Sequence, residues 1–305
     1  MAGADKKERA IDLVETNIPG VFIPRPRTAM EVWRDITSDG LKGLRPLYLK
    51  PKLSPQVGKT HILRMSEEPS HDASQDLASR NWAGFLMKGN WIGVSATWTV
   101  PTVRRPGTPP GKDGEWNSTS WIGIGGYLSS DVLQIGIQQY VDTNGKSWYQ
   151  PWFEWFAPKQ IGSPYYVDQV DIYNFSVAAG DQIACEVRYG DNGQGVRGGW
   201  VRMENVSTRR PRFEVFLAPP LGATLKGDSI EWILEAPNAG VPDTVLPDYT
   251  PVSFANVAGY EQDGPTKFDP KLGQCINIEY GGHSYTLVSL DARTITIQSV
   301  PSAIV

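Results

Sequence analysis

The feature that most constrains the fold of this chain is a long series of short strand-like segments from about residue 81 to residue 300. The segments are rich in Val, Ile, Trp, Tyr and Phe, and turn-forming sequences such as 142–145 (Asp-Thr-Asn-Gly) and 191–193 (Asp-Asn-Gly) separate them. No convincing helical pattern interrupts the series. About a dozen antiparallel strands are too many for one flat sheet. The pattern therefore predicts an all-β sandwich of two antiparallel sheets.

The distribution of tryptophan divides the chain near residue 80. Residues 1–80 contain one tryptophan, Trp33, whereas residues 82–155 contain eight. We therefore predict a short, partly helical N-terminal appendage over 1–80 and a main domain over 81–305. Short helices are expected at 5–16 and at 28–39. The second of these segments has an apolar stripe and a capping box. Residues 66–80 are polar and resemble a linker.

The net charge excludes some classes of partner. The 305 residues carry 29 Lys and Arg against 33 Asp and Glu, so a general nucleic-acid-binding protein is disfavoured. No stretch approaches the roughly 18 apolar residues of a membrane span. The charged N-terminus lacks the apolar segment of a classical signal peptide. We expect a monomer that binds neither nucleic acid nor membrane.

Cysteine and histidine are scarce. Cys185 and Cys275 cannot form a disulfide framework, although one bridge between them stays open. His61, His71 and His283 are far apart in the sequence, and no His-Glu-x-x-His pattern is present. We therefore expect no metal site and no cofactor.

Polar residues occur on strands that would otherwise be apolar. Alternation along 131–140 places Gln134 and Gln138 opposite a row of Leu and Ile side chains. Glu154 lies among aromatic residues in 152–156, and 231–235 carries a glutamate at each end. These residues could line a cleft. They could equally belong to a solvated outer face, which antiparallel sheets commonly have.

Seven short motifs follow one another along the main domain: Asn81-Trp-Ala-Gly84, Trp121-Ile-Gly-Ile-Gly-Gly126, Leu133-Gln-Ile-Gly136, Tyr149-Gln-Pro-Trp-Phe-Glu-Trp155, Ala179-Gly-Asp181, Met203-Glu-Asn-Val206 and Ile230-Glu-Trp-Ile-Leu-Glu235. In content and order they resemble the motifs of the glutamic peptidases, the eqolisin or scytalidoglutamic peptidase-like family. The resemblance covers about 81–258 and implies a concanavalin-like sandwich.

The resemblance also implies a Gln/Glu catalytic dyad at Gln134 and Glu235. We expect the two side chains on neighbouring strands, within direct or one-water hydrogen-bonding reach. Glu154 is expected to tune or orient the site. Trp82, Trp121 and Trp152 are expected to wall a substrate groove, with packing in the core as the other interpretation.

Two departures from the family pattern concern the pH dependence. Fungal members have aspartates at the positions of Gly125 and Gln150. The resemblance implies an acid-active endopeptidase acting on polypeptides. Because Gly125 and Gln150 replace two aspartates, we expect a milder acid dependence than in fungal relatives. The family resemblance implies secretion, which the missing signal peptide does not support.

Two other classes of function remain open at this stage. Glu154 and Glu235 could be the carboxyl pair of a glycosidase, with tryptophans stacking on sugar. A lectin-like binding module without peptidase activity is the second.

The appendage resembles a prosegment in its position ahead of Asn81 and in its basic character. Residues 22–66 contain nine Lys and Arg against three Asp and Glu, whereas 81–305 contain 16 against 22. We predict that residues 1–80 contact the sandwich and that acid triggers cleavage within 66–80. A permanent arm packed through Trp33 is the alternative.

Overall fold

The computed structural model describes residues 12–25, 50–56, 61, 63–65, 76–110, 114–208, 211–237, 246–262 and 264–300. These residues form 21 strands, β1 to β21 in chain order, and two short 3-10 turns at Pro158–Gln160 and Pro270–Leu272. Two large sheets contain all strands except β7 (Val103–Arg104) and β16 (Asp248–Tyr249), which pair with each other. The predicted sandwich of two antiparallel sheets is confirmed.

Sheet 1 has nine strands in the order β1-β2-β14-β13-β12-β6-β17-β21-β20. Their bounds, in chain order, are β1 Leu13–Glu15, β2 Val21–Pro24, β6 Gly93–Thr99, β12 Gln182–Asp191, β13 Arg197–Asn205, β14 Phe213–Leu217, β17 Val252–Tyr260, β20 Thr286–Asp291 and β21 Thr294–Ser299.

Sheet 2 has ten strands and carries the residues of the sequence motifs. Its order is β19-β18-β5-β15-β8-β9-β10-β11-β3, and β4 pairs in parallel with β18. The bounds are β3 Leu53–Pro55, β4 Leu77–Ser79, β5 Trp82–Lys88, β8 Glu115–Gly125, β9 Val132–Asp142, β10 Ser147–Phe156, β11 Val170–Ile172, β15 Ser229–Glu235, β18 Gly273–Tyr280 and β19 His283–Ser284.

The main core lies between the two sheets, and the alternation of each strand of sheet 2 decides which side chains enter it. Leu133, Ile135, Phe153 and Trp232 belong to this core together with residues of sheet 1 such as Phe213. A second apolar cluster lies on the opposite, outer face of sheet 2 and contains Trp82, Leu86, Trp121, Trp152, Ile233 and Ile276. The outer face is therefore also packed.

The helix expected at 5–16 is wrong over the described part of that segment. Leu13–Glu15 is a strand that pairs with Val21–Pro24 in a hairpin, and the second strand of the hairpin pairs with the edge of sheet 1 at β14. Ile18, Val21 and Ile23 are buried in the main core. Tertiary pairing at a sheet edge thus overrides a weak helical pattern. The helix expected at 28–39 lies outside the described residues.

Candidate functional site

On the outer face of sheet 2, a glycine lies between two tryptophans, and we call the surface around it, beneath the segment that carries His61, the groove. The strand register places Gly136 of β9 beside Trp121 of β8 on one side and Trp152 of β10 on the other. A Cβ atom on Gly136 would lie 2.4 Å from the Cβ atom of Trp121, so any larger residue would displace that tryptophan. Trp82 packs edge-on against Trp121, with 4.8 Å between ring centroids. The three tryptophans expected to wall a groove therefore lie together on one face.

Glu235 lies at the end of β15, and its carboxylate is fully enclosed by hydrogen-bond donors. Its side chain is buried, with 0 % exposure. The indole Nε1 of Trp121 donates to Oε2 over 2.9 Å, and Nδ2 of Asn81 donates to Oε1 over 3.1 Å. Nδ1 of His61 lies 3.1 Å from Oε2. A buried carboxylate with this many donors is held in one orientation.

Gln134 and Glu154 form a second polar group on the same face. Nε2 of Gln134 donates to Oε2 of Glu154 over 2.9 Å and to the backbone carbonyl of His61 over 3.2 Å. The same oxygen of Glu154 accepts the backbone N–H of His61 over 3.2 Å. Burial raises the pKa of Glu154 to about 8, against the opposing effect of His61. Glu154 is therefore a neutral acid in acidic solution, and its position beside the Gln134 amide agrees with the expected orienting neighbour.

The expected relation between Gln134 and Glu235 needs correction. Their side chains lie on the same face, but β8 lies between β9 and β15, so the strands are not neighbours. Within the described residues, hydrogen bonds join the two side chains through His61 rather than directly. Motif order along the chain carries no information on strand order in the sheet, which explains the error.

His61 was not predicted as part of the site, and it occupies the centre of the groove. Its ring is 1 % exposed and stacks on Trp152 with 4.0 Å between centroids and 18° between planes. Its Nε2 lies 2.7 Å from Oε1 of Gln169. Burial alone would lower the pKa of His61, but the neighbouring carboxyls of Glu235 and Glu154 outweigh it and raise that pKa above its ordinary value.

The segment that carries His61 runs antiparallel to the chain just before β5. Met65 bridges Ser79, N–H of Arg80 donates to the carbonyl of Arg64 over 2.7 Å, and N–H of Arg64 donates to Oδ1 of Asn81 over 2.9 Å. Because of this cover, Gln134, Glu154 and Glu235 are all 0 % exposed. The interpretation of these residues as a solvated sheet face is therefore wrong.

Sequence reasoning missed the roles of His61, Asn81 and Gln169. Asn81 opens the first of the seven motifs, so its position was a usable signal. His61 and Gln169 lie outside every motif, and no spacing pattern connects them to the dyad. Only the folded chain brings His61 within hydrogen-bonding distance of Glu235, and Gln169 within hydrogen-bonding distance of His61.

The two positions that depart from the fungal pattern, Gly125 and Gln150, have different surroundings. Gly125 has a φ of +85°, and a Cβ atom there would lie 2.3 Å from the carbonyl oxygen of Asp131. An aspartate at position 125 would therefore require the backbone to move. Gln150 is partly buried, and its Nε2 donates to the carbonyls of Pro151 and Ile172, each over 3.0 Å.

Three further expectations concern metals, membranes and disulfides. Among the described residues, no group of three or more His, Cys, Asp and Glu could hold a metal ion. The described part of the chain also contains no helix that is long and apolar enough to cross a membrane. Cys185 and Cys275 are free thiols, one in each sheet, so the disulfide that the sequence left open is absent.

Solved structures of peptidases are similar in fold to this chain. Scytalido-glutamic peptidase, solved with a transition state analog inhibitor, is 22 % identical, matches 72 % of this chain and 98 % of its own, and has a TM-score of 0.56. SCP-B, an eqolisin solved in a complex with the tripeptide Ala-Ile-His, is 21 % identical over the same shares, with a TM-score of 0.53. Aspergilloglutamic peptidase from Aspergillus niger is 22 % identical over 61 % of this chain and 99 % of its own, with a TM-score of 0.50.

A search of curated proteins gives no match. The model of the Peptidase A4 family matches residues 80–299, which include every motif residue and all of the groove except the residues contributed by the covering segment. This match spans well over half of the chain. The chain therefore belongs to the Peptidase A4 family and is a peptide hydrolase.

Proposed function

We propose that this chain is a glutamic endopeptidase in which Glu235 acts as general base and then general acid, and Gln134 stabilises the oxyanion. One observation carries the proposal. A peptide of the chain itself, at His61, lies in the groove with its carbonyl on the amide of Gln134 and its side chain on the carboxyl of Glu235. The groove thus holds a peptide carbonyl on an amide donor and places a buried carboxylate beside the side chain of the same residue, and an amide donor and a carboxylate are the groups that this hydrolysis uses.

The mechanism follows from the chemistry of the two side chains. The ionised Glu235 takes a proton from water as the water oxygen attacks the carbonyl carbon of the substrate. The Gln134 amide donates a hydrogen bond to the carbonyl oxygen as it becomes negative, a contribution of about 2.7–4 kcal/mol in other enzymes. The protonated Glu235 then gives its proton to the leaving nitrogen, and the C–N bond breaks.

Glu154 supports this role of Gln134 through its charge state. With His61 in place, burial raises its pKa to about 8, so it is neutral in acid. A neutral neighbour adds no negative charge beside the developing oxyanion, while its oxygen still accepts the second hydrogen of the Gln134 amide. In this proposal Glu154 positions Gln134 and does not contact the reacting atoms.

We also propose that residues 1–80 are a prosegment removed in acid. The described part of that segment supports this, because Leu63 packs against the outer apolar cluster and His61 hydrogen-bonds to the candidate dyad. Protonating the carboxylates of the 81–305 domain would weaken its attraction to the basic segment 22–66.

The proposal is tested by incubating the full chain near pH ~4, where free carboxylates begin to protonate, with a denatured protein substrate. We expect hydrolysis, a decline in rate as pH rises from about 4 to 7, and a product whose new N-terminus lies within 66–80. A chain that is fully active while it still begins at residue 1 would contradict the prosegment proposal. Absence of hydrolysis at every pH, by the full chain and by a chain that has been cut within 66–80 and is still folded, would contradict the peptidase proposal.

A further inference from the structure

The contacts of His61 point to a feature of the groove that no motif indicates. The ring is enclosed, and each of its polar atoms has a partner. One nitrogen faces Oε2 of Glu235 at 3.1 Å, the other faces Oε1 of Gln169 at 2.7 Å, and one ring face covers Trp152. A flat ring with two N–H groups on opposite sides fits this arrangement.

The orientation of Gln169 is fixed by its own neighbours. Its Nε2 donates to Oδ1 of Asp171 over 2.6 Å and lies 3.4 Å from Oε1 of Gln138. A carboxylate accepts hydrogen bonds, so the NH₂ group of Gln169 faces Asp171 and its carbonyl oxygen faces His61. Gln169 is itself 0 % exposed with His61 in place, so a side chain without an N–H at this position would leave its oxygen without this donor.

Both nitrogens of His61 therefore face acceptors, and the imidazolium form satisfies both at once. The raised pKa of His61 agrees with this form. Phenylalanine or leucine in the same place would leave the buried oxygens of Gln169 and Glu235 without these donors, which is unfavourable for each unpaired group.

Occupation by histidine also affects the chemistry of the base. Oε2 of Glu235 already accepts from Trp121, and Oε1 accepts from Asn81. With the imidazolium on Oε2 as well, this oxygen has two hydrogen-bond partners and the Glu235 side chain is 0 % exposed, so His61 stands where a water molecule would have to approach Oε2. The backbone carbonyl of His61 also accepts a hydrogen bond from the side-chain amide of Gln134.

We propose that Trp152, Gln169 and Glu235 form a histidine-binding subsite, that its occupant blocks catalysis, and that in the full chain His61 is this occupant. The inference rests on the proposed function, since it assigns Glu235 as the base that is blocked. This inference goes beyond the covering of the groove by a segment of the chain. It assigns the block to the side chain of His61, and the recognition of that side chain to Gln169.

The first test measures the subsite without relying on activity. The chain has three histidines, so labelling histidine with ¹³C gives three ring signals in NMR spectra of the full chain. His61→Ala and His283→Ala assign them. We expect the His61 signal to titrate above ~6.5, and its midpoint to fall towards that value in Gln169→Leu and in Glu235→Gln. A His61 signal that titrates as free histidine, or that ignores both substitutions, would overturn the subsite.

The second test measures the block. His61→Ala and His61→Phe are compared with the wild type for initial hydrolysis of a peptide substrate, before any processing. Phenylalanine keeps the stacking on Trp152 and removes both N–H groups. We expect both variants to exceed the wild type by about tenfold or more, and Gln169→Leu to exceed it by less. The exposed His283→Ala is the control and should match the wild type.

The third test uses a synthetic peptide of residues 58–66 added to the His61→Ala protein. We expect this peptide to inhibit hydrolysis. The same peptide with phenylalanine at position 61 should inhibit at least about tenfold more weakly. Equal inhibition by the two peptides would overturn recognition of histidine.

The outcomes separate this inference from the proposed function. If His61→Ala and the wild type hydrolyse the substrate equally well before processing, the block by His61 is wrong and the peptidase proposal stands. If no variant hydrolyses peptides even after 1–80 is cut off, the peptidase proposal fails and the blocking role fails with it, whereas the NMR titration still decides the histidine subsite.

Discussion

On β9, Leu133 and Ile135 point into the core between the sheets, while Gln134 between them points to the outer face. The two faces of sheet 2 are equally buried there, because all three side chains are 0 % exposed. The inner face is covered by sheet 1 and needs no polar partner. The outer face is contacted by His61 and Leu63, and its carboxyl and amide groups bond to His61 and to one another. Within the described residues, Oε1 of Gln134 and Oε1 of Glu154 have no hydrogen-bond partner.

The comparison teaches how one sheet can carry both stability and chemistry. An apolar side chain on the inner face gains free energy from burial whatever the details of its neighbours. A buried carboxyl on the outer face loses solvation and is tolerated only with specific donors. We therefore expect substitutions on the inner face to reduce stability, and substitutions on the outer face to alter activity and pH dependence.

The largest expected change in stability comes from the inner face. Phe153 is 0 % exposed and packs against Phe213 of sheet 1, with 5.7 Å between ring centroids. Phe153→Ala should lower the free energy of unfolding by about 3–5 kcal/mol in urea denaturation. Leu221, which is 66 % exposed, gives the control, since Leu221→Ala should change it by about 0.5 kcal/mol or less. Similar losses in the two variants would contradict the assignment of the inner face as the core.

On the outer face, Gln134→Leu should leave the fold intact and reduce the rate of hydrolysis. Loss of one oxyanion donor lowers kcat by about 10²–10³-fold, which corresponds to roughly 2.7–4 kcal/mol in the barrier. The measurement is kcat on a peptide substrate after removal of residues 1–80. Gln182→Leu, at an exposed position of sheet 1, is the matched control and should keep its kcat. A Gln134→Leu enzyme with unchanged kcat would rule out the oxyanion role.

Glu154 should make stability depend on pH. Its folded pKa of about 8 lies above the ordinary value of 4.5, so the folded chain holds a proton that the unfolded chain has lost. This contribution is complete below about pH 4.5 and is lost as pH rises through about 8, with a slope of up to about 1.4 kcal/mol per pH unit. Glu154→Gln should flatten the slope measured by urea unfolding between these pH values. An unchanged slope would mean that Glu154 ionises normally.

Sequence patterns predicted the inner face well and the outer face in part. Alternation of apolar residues assigns Leu133 and Phe153 to the core without any knowledge of strand order. The same alternation placed Gln134 on the face opposite to the apolar row of its strand, and the family motifs singled out Gln134 and Glu235.

The cover of the outer face could not be predicted, because it depends on contacts between distant residues. His61 is separated by 174 residues from Glu235, and it lies outside the matched range of 80–299. The N-terminal hairpin was missed for the same reason, since Leu13–Glu15 is a strand only because Val21–Pro24 is available to pair with it and with β14. Local propensity contains neither of these facts.

The central claim is that the outer face of sheet 2 hydrolyses peptides through Glu235. Glu231 offers a matched control, since it lies on the same strand and the same face and is also 0 % exposed. A recognition sequence for an unrelated peptidase, placed between 66 and 75, allows residues ahead of the cut to be removed from every variant without self-processing. The decisive measurement is kcat/KM of Glu235→Gln and Glu231→Gln on one peptide in acid. We predict a loss of about 10³-fold or more for Glu235→Gln and a loss of only a few-fold for Glu231→Gln. A Glu235→Gln enzyme as active as the wild type would contradict the account.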